Sequence, residues 1–209
     1  MILDGFRVSL NSEFDIVATA TTGQQAIEQC GRLCPDIVTL DLELPDMSGL
    51  EVIRELHEKA PWVKILVVTM HVARVWADTA FQAGAIGFVP KDAPIEELRL
   101  AIREVLASRR FLSKLVPERS AVQFPPDLRL GMSKLTPRQR EVVRLLGEGK
   151  STACIAQELD LCEPTITFHR VRIRKALGLR TEWDLTRYSI LIRLCEEHDN
   201  GTQPSLLTR

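Results

Sequence analysis

The sequence predicts an α/β domain with a doubly wound parallel sheet, followed by a small all-α domain. In the first half, short apolar runs alternate with helical patterns, which is typical of a parallel sheet covered by helices on both faces. From about residue 134 onwards, four helical patterns follow without a strand. The charge divides in the same way: residues 1–125 carry 17 acidic and 13 basic side chains, whereas residues 126–209 carry 11 acidic and 14 basic ones. This asymmetry indicates two domains with different partners.

The elements of the first half follow from short apolar runs and from helical spacing. An initial helical pattern covers Met1–Asn11. The predicted strands are Phe14–Ala20, Asp36–Leu42, Val63–Met70 and Ile86–Val89. The predicted helices that alternate with them are Gly23–Leu33, Ser48–Lys59, Ala73–Ala83 and Pro94–Ser108. We expect this α/β domain to span residues 1–110.

The second domain is predicted to be a helix-turn-helix. Residues 111–133 hold three prolines and a glycine, and we interpret them as a linker. The helical patterns that follow are Thr136–Gly147, Thr152–Leu159, Pro164–Leu177 and Thr181–Cys195. A short turn joins the second and third of these helices, as in a helix-turn-helix. We expect residues 134–196 to form this domain and residues 197–209 to be a disordered polar tail.

Three polar residues follow apolar runs in the first half, and parallel strands bring such ends to one edge of a sheet. They are Asp41, Thr69 and Lys91. A carboxylate can accept a phosphoryl group, and a hydroxyl and an ammonium group can hold its oxygens. The turn-rich loop with Pro45 and Gly49 can offer a backbone carbonyl to a metal ion. A lone Asp after a strand is more often a turn or capping residue, so the prediction depends on all three residues together.

The third helix of the second domain has two distinct faces at 100° per residue. The face expected in the core holds Ile166, His169, Ile173, Ala176 and Leu177. The other face holds Thr167, Phe168, Val171, Arg174 and Lys175, with Arg172 beside them. Exposed apolar side chains among basic side chains are typical of a surface that enters the major groove of DNA, where apolar groups can touch thymine methyls. The alternative for this helix alone is a solvated charged face. Residues 134–193 carry 12 basic and 7 acidic side chains, an excess that attracts phosphates.

The motifs of the first half resemble a response-regulator receiver domain over about residues 1–108. They are Asp36-Ile-Val-Thr-Leu-Asp41-Leu-Glu-Leu-Pro45-Asp-Met-Ser-Gly49, Val67-Val-Thr69-Met-His71 and Gly84-Ala-Ile-Gly87-Phe88-Val-Pro-Lys91. The resemblance implies a flavodoxin-like fold in which Asp41 accepts phosphate from a histidine kinase. It also implies that Thr69 and Lys91 contact the phosphoryl group and that Phe88 is the switch aromatic. Mg²⁺ would be bound by Asp41 and by the backbone carbonyl of Glu43.

One departure from the receiver pattern is large. A receiver normally opens with a hydrophobic strand that ends in two adjacent acidic residues, which bind Mg²⁺. No such strand or acidic pair precedes the pattern Met1–Asn11, so the receiver is expected to be truncated at its N-terminus and its use of Mg²⁺ is in question. Two hypotheses follow: the natural protein is roughly 15–25 residues longer, or the receiver is degenerate and does not respond to phosphate through Mg²⁺.

The second domain resembles the LuxR-type helix-turn-helix over about residues 134–196. The motifs are Leu135-Thr-Pro-Arg-Gln-Arg-Glu141-Val-Val-Arg144-Leu-Leu-Gly-Glu-Gly149-Lys-Ser151, Ile155-Ala156, Thr165-Ile166, His169 and Leu177-Gly178-Leu179. With a receiver, the chain resembles the NarL/FixJ class, in which the third helix enters the major groove and the fourth pairs two domains. The DNA-binding residues that we predict are Lys150, Ser151, Thr165, Thr167, Phe168, Arg170, Val171, Arg172, Arg174 and Lys175. Cys162 stands where the family usually has a Ser or Thr cap, and we expect a weaker cap there.

Other classes of function find little support in the sequence. No apolar run reaches the ~18 residues that a membrane helix needs, and the first residues do not have the pattern of a signal peptide. The five cysteines form no Cys-x-x-Cys pair, which is typical of inert thiols in a reducing cytoplasm. No second substrate pocket or general base supports a phosphotransferase or a phosphatase.

The sequence therefore predicts a cytoplasmic, non-enzymatic transcription regulator that binds promoter DNA as a homodimer. Phosphorylation of Asp41 by a cognate histidine kinase would control dimerisation and DNA binding. Two other hypotheses stay open: a regulator with a degenerate receiver that works without phosphate, and a protein-binding module whose helix-turn-helix no longer binds DNA.

Overall fold

The computed structural model describes residues 10, 13–118 and 128–201, with the backbone alone for residues 198–201. The chain forms two compact units, Met1–Val122 and Gln123–Arg209. The first predicted helix, Met1–Asn11, lies outside the described residues except for Leu10, which is helical and buried.

The N-terminal unit is a four-stranded parallel sheet with helices between its strands. Its elements are α1 (Gly23–Leu33), β1 (Ile37–Leu40), α2 (Gly49–Lys59), β2 (Lys64–Thr69), α3 (Arg74–Ala83), β3 (Gly87–Pro90), α4 (Ile95–Leu106) and β4 (Phe111–Leu112). The strand order is β1-β2-β3-β4, and each pair of neighbours is parallel. Val67 of β2 lies opposite Phe88 of β3. The prediction of an α/β domain with a parallel sheet is confirmed.

Both faces of this sheet are buried. Leu66 and Val68 of β2 pack with a buried row of α4 that consists of Leu98, Ala101, Ile102 and Val105. Consecutive residues of a strand face opposite sides of a sheet, and Ile65 and Val67 are buried as well. The second face is therefore also covered, as the apolar strands of the sequence predict.

The predicted strand Phe14–Ala20 is wrong, because residues 15–20 have no regular secondary structure. Phe14 and Ile16 are half-buried against the core of the unit, which explains the apolar pattern that suggested a strand. A strand also needs a neighbour to pair its backbone groups. Among the described residues the sheet consists of β1 to β4, and none of these strands pairs with this segment.

Regular structure is present within the stretch that we interpret as a linker. β4 pairs with β3, with Gly87 opposite Phe111. After residues 119–127, which lie outside the described part of the chain, the helix α5 (Leu128–Ser133) begins. The limits of the domains themselves stay a prediction.

The C-terminal unit contains helices and no strand among its described residues. Its further helices are α6 (Pro137–Gly147), α7 (Thr152–Glu158), α8 (Glu163–Leu177) and α9 (Glu182–Gly201). A core of side chains from α6 to α9 joins them, and its fully buried members include Val142, Val143, Ile155, Ile166, Ile173 and Leu185. The predicted all-α domain is confirmed. Helix α9 continues through Gly201, so the expected disordered tail from residue 197 is wrong for residues 197–201.

Local signals set the ends of these helices. Thr136 and Gln139 form a capping box at the start of α6, with Pro137 in its first turn. Gly178 ends α8 with a φ of +68°, which a glycine adopts without strain. Cys162 provides no side-chain cap for α8, as expected, and its Sγ lies 3.1 Å from the hydroxyl of Thr165 instead.

Candidate functional site

One contact of the N-terminal unit joins two of the three polar residues predicted at the sheet edge. The Nζ of Lys91 donates a hydrogen bond to Oδ2 of Asp41, across 50 positions of the chain. Both side chains keep about a fifth of their surface exposed, at 22 % for Asp41 and 21 % for Lys91. A carboxylate that solvent reaches and an ammonium group therefore face each other at the end of β1.

Thr69 lies at the same edge of the sheet, and Phe88 lies within the neighbouring strand β3. The backbone N–H of Lys91 donates to the carbonyl oxygen of Thr69 at 2.8 Å, which ties the end of β2 to the residue after β3. Thr69 is fully buried, and its hydroxyl accepts a hydrogen bond from the N–H of His71 at 3.3 Å. Phe88 is also fully buried, in the middle of β3. The structure thus brings Asp41, Thr69 and Lys91 to one edge, as we expected from their sequence positions.

The loop after Asp41 is held by its own backbone and by the start of α1. The N–H of Glu43 donates to Oδ1 of Asp41 at 3.3 Å. Asp46 accepts hydrogen bonds from the N–H groups of Gly23 and Gln24, at 2.8 and 3.0 Å. Burial tends to raise the pKa of Asp46, but its backbone hydrogen bonds outweigh this and hold the pKa below its usual value. The sequence did not predict this cap, because Asp46 and the first residue of α1 are 23 residues apart.

The described residues do not make a complete site for Mg²⁺. They contain no group of three or more His, Cys, Asp or Glu side chains that could hold a metal ion. Of the predicted ligands, Asp41 already contacts Lys91, and the side chain of Glu43 lies 3.7 Å from Nε2 of His71. Mg²⁺ usually needs near-octahedral oxygen ligands, including one or two carboxylates. In this part of the chain, the positive charge beside Asp41 is supplied by Lys91.

In the C-terminal unit, helix α8 presents the predicted DNA-binding face. Its exposed residues are Thr167, Phe168, Val171, Arg172 and Lys175. The guanidinium of Arg172 lies 5.4 Å from the centre of the Phe168 ring, within the range of a cation–π contact. The core face holds Ile166 and Ile173 as expected, but Ala176 is exposed, so its assignment to the core is wrong.

The prediction that Arg170 contacts DNA does not fit its position. Its side chain is buried, and its Nε and Nη2 donate to Oε2 of Glu182 at 3.0 and 2.7 Å. Its Nη1 donates to the hydroxyl of Thr152 at 2.7 Å. Arg174 shares the same partner, with its Nε 3.0 Å from Oε1 of Glu182, and it donates to the carbonyl oxygen of Arg180 at 3.1 Å. Two of the predicted basic groups are thus held by one carboxylate.

Helical spacing alone could have identified Arg170 as an interior residue. At 100° per residue, it lies about 40° around the helix from Ile166, next to the core face. No such signal exists for Glu182, because it belongs to the next helix and meets α8 only in the folded domain. We call Glu182, Arg170, Arg174 and Thr152 the Glu182 cluster.

The other residues that we predicted to contact DNA lie near the first residues of α7 and α8. The Nζ of Lys150 contacts Glu158 at 2.5 Å and Glu148 at 3.0 Å, and the hydrogen bonds from Nζ to these two carboxylates raise its pKa above the usual value. Ser151 caps α7 by accepting from the N–H of Cys154 at 3.2 Å. Thr165 is half-buried beside Cys162. DNA phosphates would have to compete with two carboxylates for Lys150.

Two family models match the chain, one for each unit. The first is the response regulator receiver domain, over residues 1–103, and the second is the luxR family of bacterial regulatory proteins, over residues 133–189.

Relatives of known name span most of the chain. The chain is 33 % identical to the transcriptional regulatory protein DesR of Bacillus subtilis over 162 residues, which are 78 % of this chain and 76 % of that protein. It is 30 % identical to the nitrate/nitrite response regulator protein NarL of Escherichia coli over 177 residues, with coverages of 83 % and 82 %. A crystal structure of a LuxR-family two-component response regulator from Aurantimonas sp. matches with a TM-score of 0.53 and 34 % identity, over 55 % of this chain and 84 % of that one.

Within the described residues, no helix has the length and apolar character needed to cross a membrane.

Proposed function

Because this chain belongs to the two-component response regulators of the NarL/FixJ class, which join a receiver domain to a LuxR-type helix-turn-helix, we propose that a histidine kinase phosphorylates Asp41. The chain is a DNA-binding transcriptional regulator. We further propose that the phosphoryl group controls dimerisation and promoter binding. We place this activity in the cytoplasm, where promoter DNA is available to the second domain.

The contact between Lys91 and Asp41 carries the proposal. The ammonium group of Lys91 lies beside the carboxylate and can bind phosphoryl oxygens once they arrive. A backbone hydrogen bond from Lys91 to the carbonyl oxygen of Thr69 holds these two residues together, and the hydroxyl of Thr69 can donate to the same phosphoryl oxygens. These are the groups that a phosphorylated carboxylate needs around it.

The proposed phosphoryl transfer needs no reactant besides Asp41 and a phosphohistidine of the kinase. An oxygen of Asp41 attacks the phosphorus of a phosphohistidine on the kinase. The new O–P bond forms as the N–P bond breaks, and the electron pair of the broken bond stays on the imidazole. Thr69 then moves toward the new phosphoryl group, and the residues around the buried Phe88 repack, which changes the surface of the receiver. Metal ions assist many such transfers, but the described residues do not form a complete site for one.

Labelling of the chain with acetyl phosphate tests the proposal. Mass spectrometry is expected to find one phosphoryl group on the wild type and none on the Asp41→Asn variant. Asp36→Asn is the matched control, because Asp36 is exposed just before the opposite end of β1. Labelling of Asp41→Asn, or an unlabelled wild type, would contradict the proposal.

The link to DNA binding has its own measurement. Sedimentation of wild-type protein with and without acetyl phosphate is expected to show a shift from monomer to homodimer, together with tighter binding to promoter DNA. Asp41→Asn is expected to show neither change.

A phosphate-independent regulator is the second candidate, and the incomplete metal site favours it. Phosphoryl transfer relies strongly on cations to neutralise developing charge, and the described residues offer Lys91 alone beside Asp41. Such a regulator would dimerise and bind DNA equally in the wild type and in Asp41→Asn. The two experiments above therefore separate the two candidates.

A further inference from the structure

We infer that helix α8 distinguishes A·T base pairs by contacts of Phe168 and Val171 with the 5-methyl groups of thymine. This inference rests on the DNA-binding function of the chain and adds the chemistry by which bases are read.

Phe168 and Val171 form an apolar pair on the exposed face of α8. Phe168 is 57 % exposed and Val171 is 48 % exposed. They are three residues apart, so they are neighbours on the helix surface. Two large apolar side chains that face solvent together on a basic helix are costly unless a partner covers them. In the major groove, the apolar group that a base pair presents is the methyl of thymine.

The Glu182 cluster takes away two of the three arginines of α8 that could read guanine. Arginine recognises guanine when a free guanidinium donates two hydrogen bonds to its O6 and N7. Arg170 donates to Glu182 and Thr152 from inside the domain, and Arg174 is held by Glu182 and by the carbonyl oxygen of Arg180. Redirecting either arginine toward DNA would leave Glu182 poorly paired in a half-buried position.

The neighbouring exposed residues support the same mode of reading. The hydroxyl of Thr167 donates to the carbonyl oxygen of Glu163 at 3.1 Å, so its hydrogen is used within the helix and its methyl group extends the apolar surface. Arg172 and Lys175 are exposed beside the pair and supply positive charge. Contacts of such groups with phosphates position a helix in the groove but carry no sequence information.

Replacement of thymine by deoxyuridine tests the inference, because deoxyuridine lacks only the methyl group. Duplexes bound by the full chain are first selected from a random pool, and each thymine of a selected site is then replaced in turn. The wild type is expected to lose about fourfold in affinity at each contacted thymine, which corresponds to one buried methyl group. The selected sites are expected to contain A·T pairs at those positions.

Variants connect this loss to individual side chains. Phe168→Ala and Val171→Ala are each expected to bind the selected site more weakly and to lose the difference between thymine and deoxyuridine at one position. Leu130→Ala is the matched control, because Leu130 is 64 % exposed in the same unit but lies on α5. It is expected to keep the wild-type affinity and the wild-type response to deoxyuridine.

The outcomes separate this inference from DNA binding itself. Equal affinity for thymine and deoxyuridine at every position, with tight and selective binding, overturns the inference alone. Selected sites without A·T pairs overturn it as well. Absence of binding to any duplex at low salt contradicts the DNA-binding function, and the inference falls with it.

Discussion

At the scale of single residues, Gly49 allows α2 to begin directly against the end of β1. A Cβ atom on Gly49 would lie 2.2 Å from the carbonyl oxygen of Asp41 and 2.6 Å from the Cα of Leu42. The N–H of Gly49 also donates to the carbonyl oxygen of Leu42 at 2.8 Å. Because these neighbours are backbone atoms, they cannot move away without displacing Asp41.

We therefore expect Gly49→Ala to lower the free energy of unfolding by at least about 1–3 kcal/mol, as overpacking does, and to reduce phosphorylation of Asp41. Urea unfolding followed by circular dichroism measures the first effect, and acetyl phosphate labelling measures the second. Gly31→Ala is the control, because nothing lies within 4 Å of its added Cβ in helix α1. That change is expected to stabilise the protein by roughly 0.5–1 kcal/mol. Equal stabilities of the two variants would contradict the packing argument.

The sequence predicted which residues meet at the sheet edge but not how all the basic residues of α8 are used. Asp41 and Lys91 were predictable because parallel strands end at one edge, whatever the loops between them do. The role of Arg174 was not predictable, because its partner Glu182 comes from another helix and only tertiary packing brings them together.

At the scale of elements, Asp46 stabilises the start of α1 through two backbone hydrogen bonds. Its lowered pKa means that the charged carboxylate is favoured in the folded state. Such a group stabilises the fold above the pKa of an unfolded Asp, about 3.9, and this contribution is lost as the pH falls through the lower folded value.

The Asp46→Asn variant should consequently be less stable than the wild type at pH 7, and the difference should shrink as the pH falls below about 4. Urea unfolding at several pH values measures this difference. Asp15→Asn, at an exposed position in the stretch 15–20 without regular secondary structure, controls for the loss of one negative charge. A difference that does not change between pH 7 and acid pH would contradict the role of the charged cap.

The Glu182 cluster joins three elements, since Thr152 belongs to α7, Arg170 to α8 and Glu182 to α9. The side chains of Arg170 and Glu182 are only 7 % and 13 % exposed. Removal of one partner from a buried ion pair leaves a charge that solvent cannot compensate. This cluster therefore stabilises the arrangement of helices that presents α8.

We expect Glu182→Ala to lower the free energy of unfolding by about 3–5 kcal/mol, because Arg170 stays buried without its carboxylate. The double variant Arg170→Met with Glu182→Leu should recover most of this loss, since neither charge is then present. Glu197→Ala is the control: its carboxylate is exposed and lies 3.8 Å from Nε of Arg193, and its loss should change stability by at most about 0.5 kcal/mol. Thermal unfolding measures the stability of all three variants. A Glu182→Ala protein as stable as the Glu197→Ala control would refute the role of the cluster.

The elements that the sequence failed to predict are those whose limits depend on other parts of the chain. Residues 14–20 alternate as a strand does, but pairing decides whether a strand forms, and no neighbour is available among the described residues. Helix α9 was expected to end at Cys195, because the residues after it are polar. Helix α9 nevertheless continues, since polar residues are compatible with the exposed end of a helix.

At the scale of the whole molecule, the near-neutral chain conceals an acidic first half and a basic second half. The basic side chains of α8 should dominate attraction to DNA, because binding releases counterions from phosphates in proportion to the contacts made. The response of affinity to salt therefore reports how many side chains of the second domain contact phosphate.

Lys175→Gln should reduce the slope of log affinity against log salt concentration by about 1 and weaken binding to all sequences alike. Lys114→Gln, an exposed change in the N-terminal unit, is the matched control and should leave the slope unchanged. Titration of a fluorescent duplex at several salt concentrations measures both. An unchanged slope for Lys175→Gln would mean that Lys175 does not contact phosphate.

β1 is the outermost strand of the sheet within the described residues, and this has a consequence for how the protein behaves in concentrated solution. Within the described residues, β1 pairs with β2 on one side and with no strand on the other. Its residues Ile37–Leu40 are apolar or β-branched and carry no charge. A strand edge of this composition is a template for strand addition and aggregation wherever no other segment covers it. Aggregates that form in this way should contain added β-structure, which distinguishes them from the proposed homodimer.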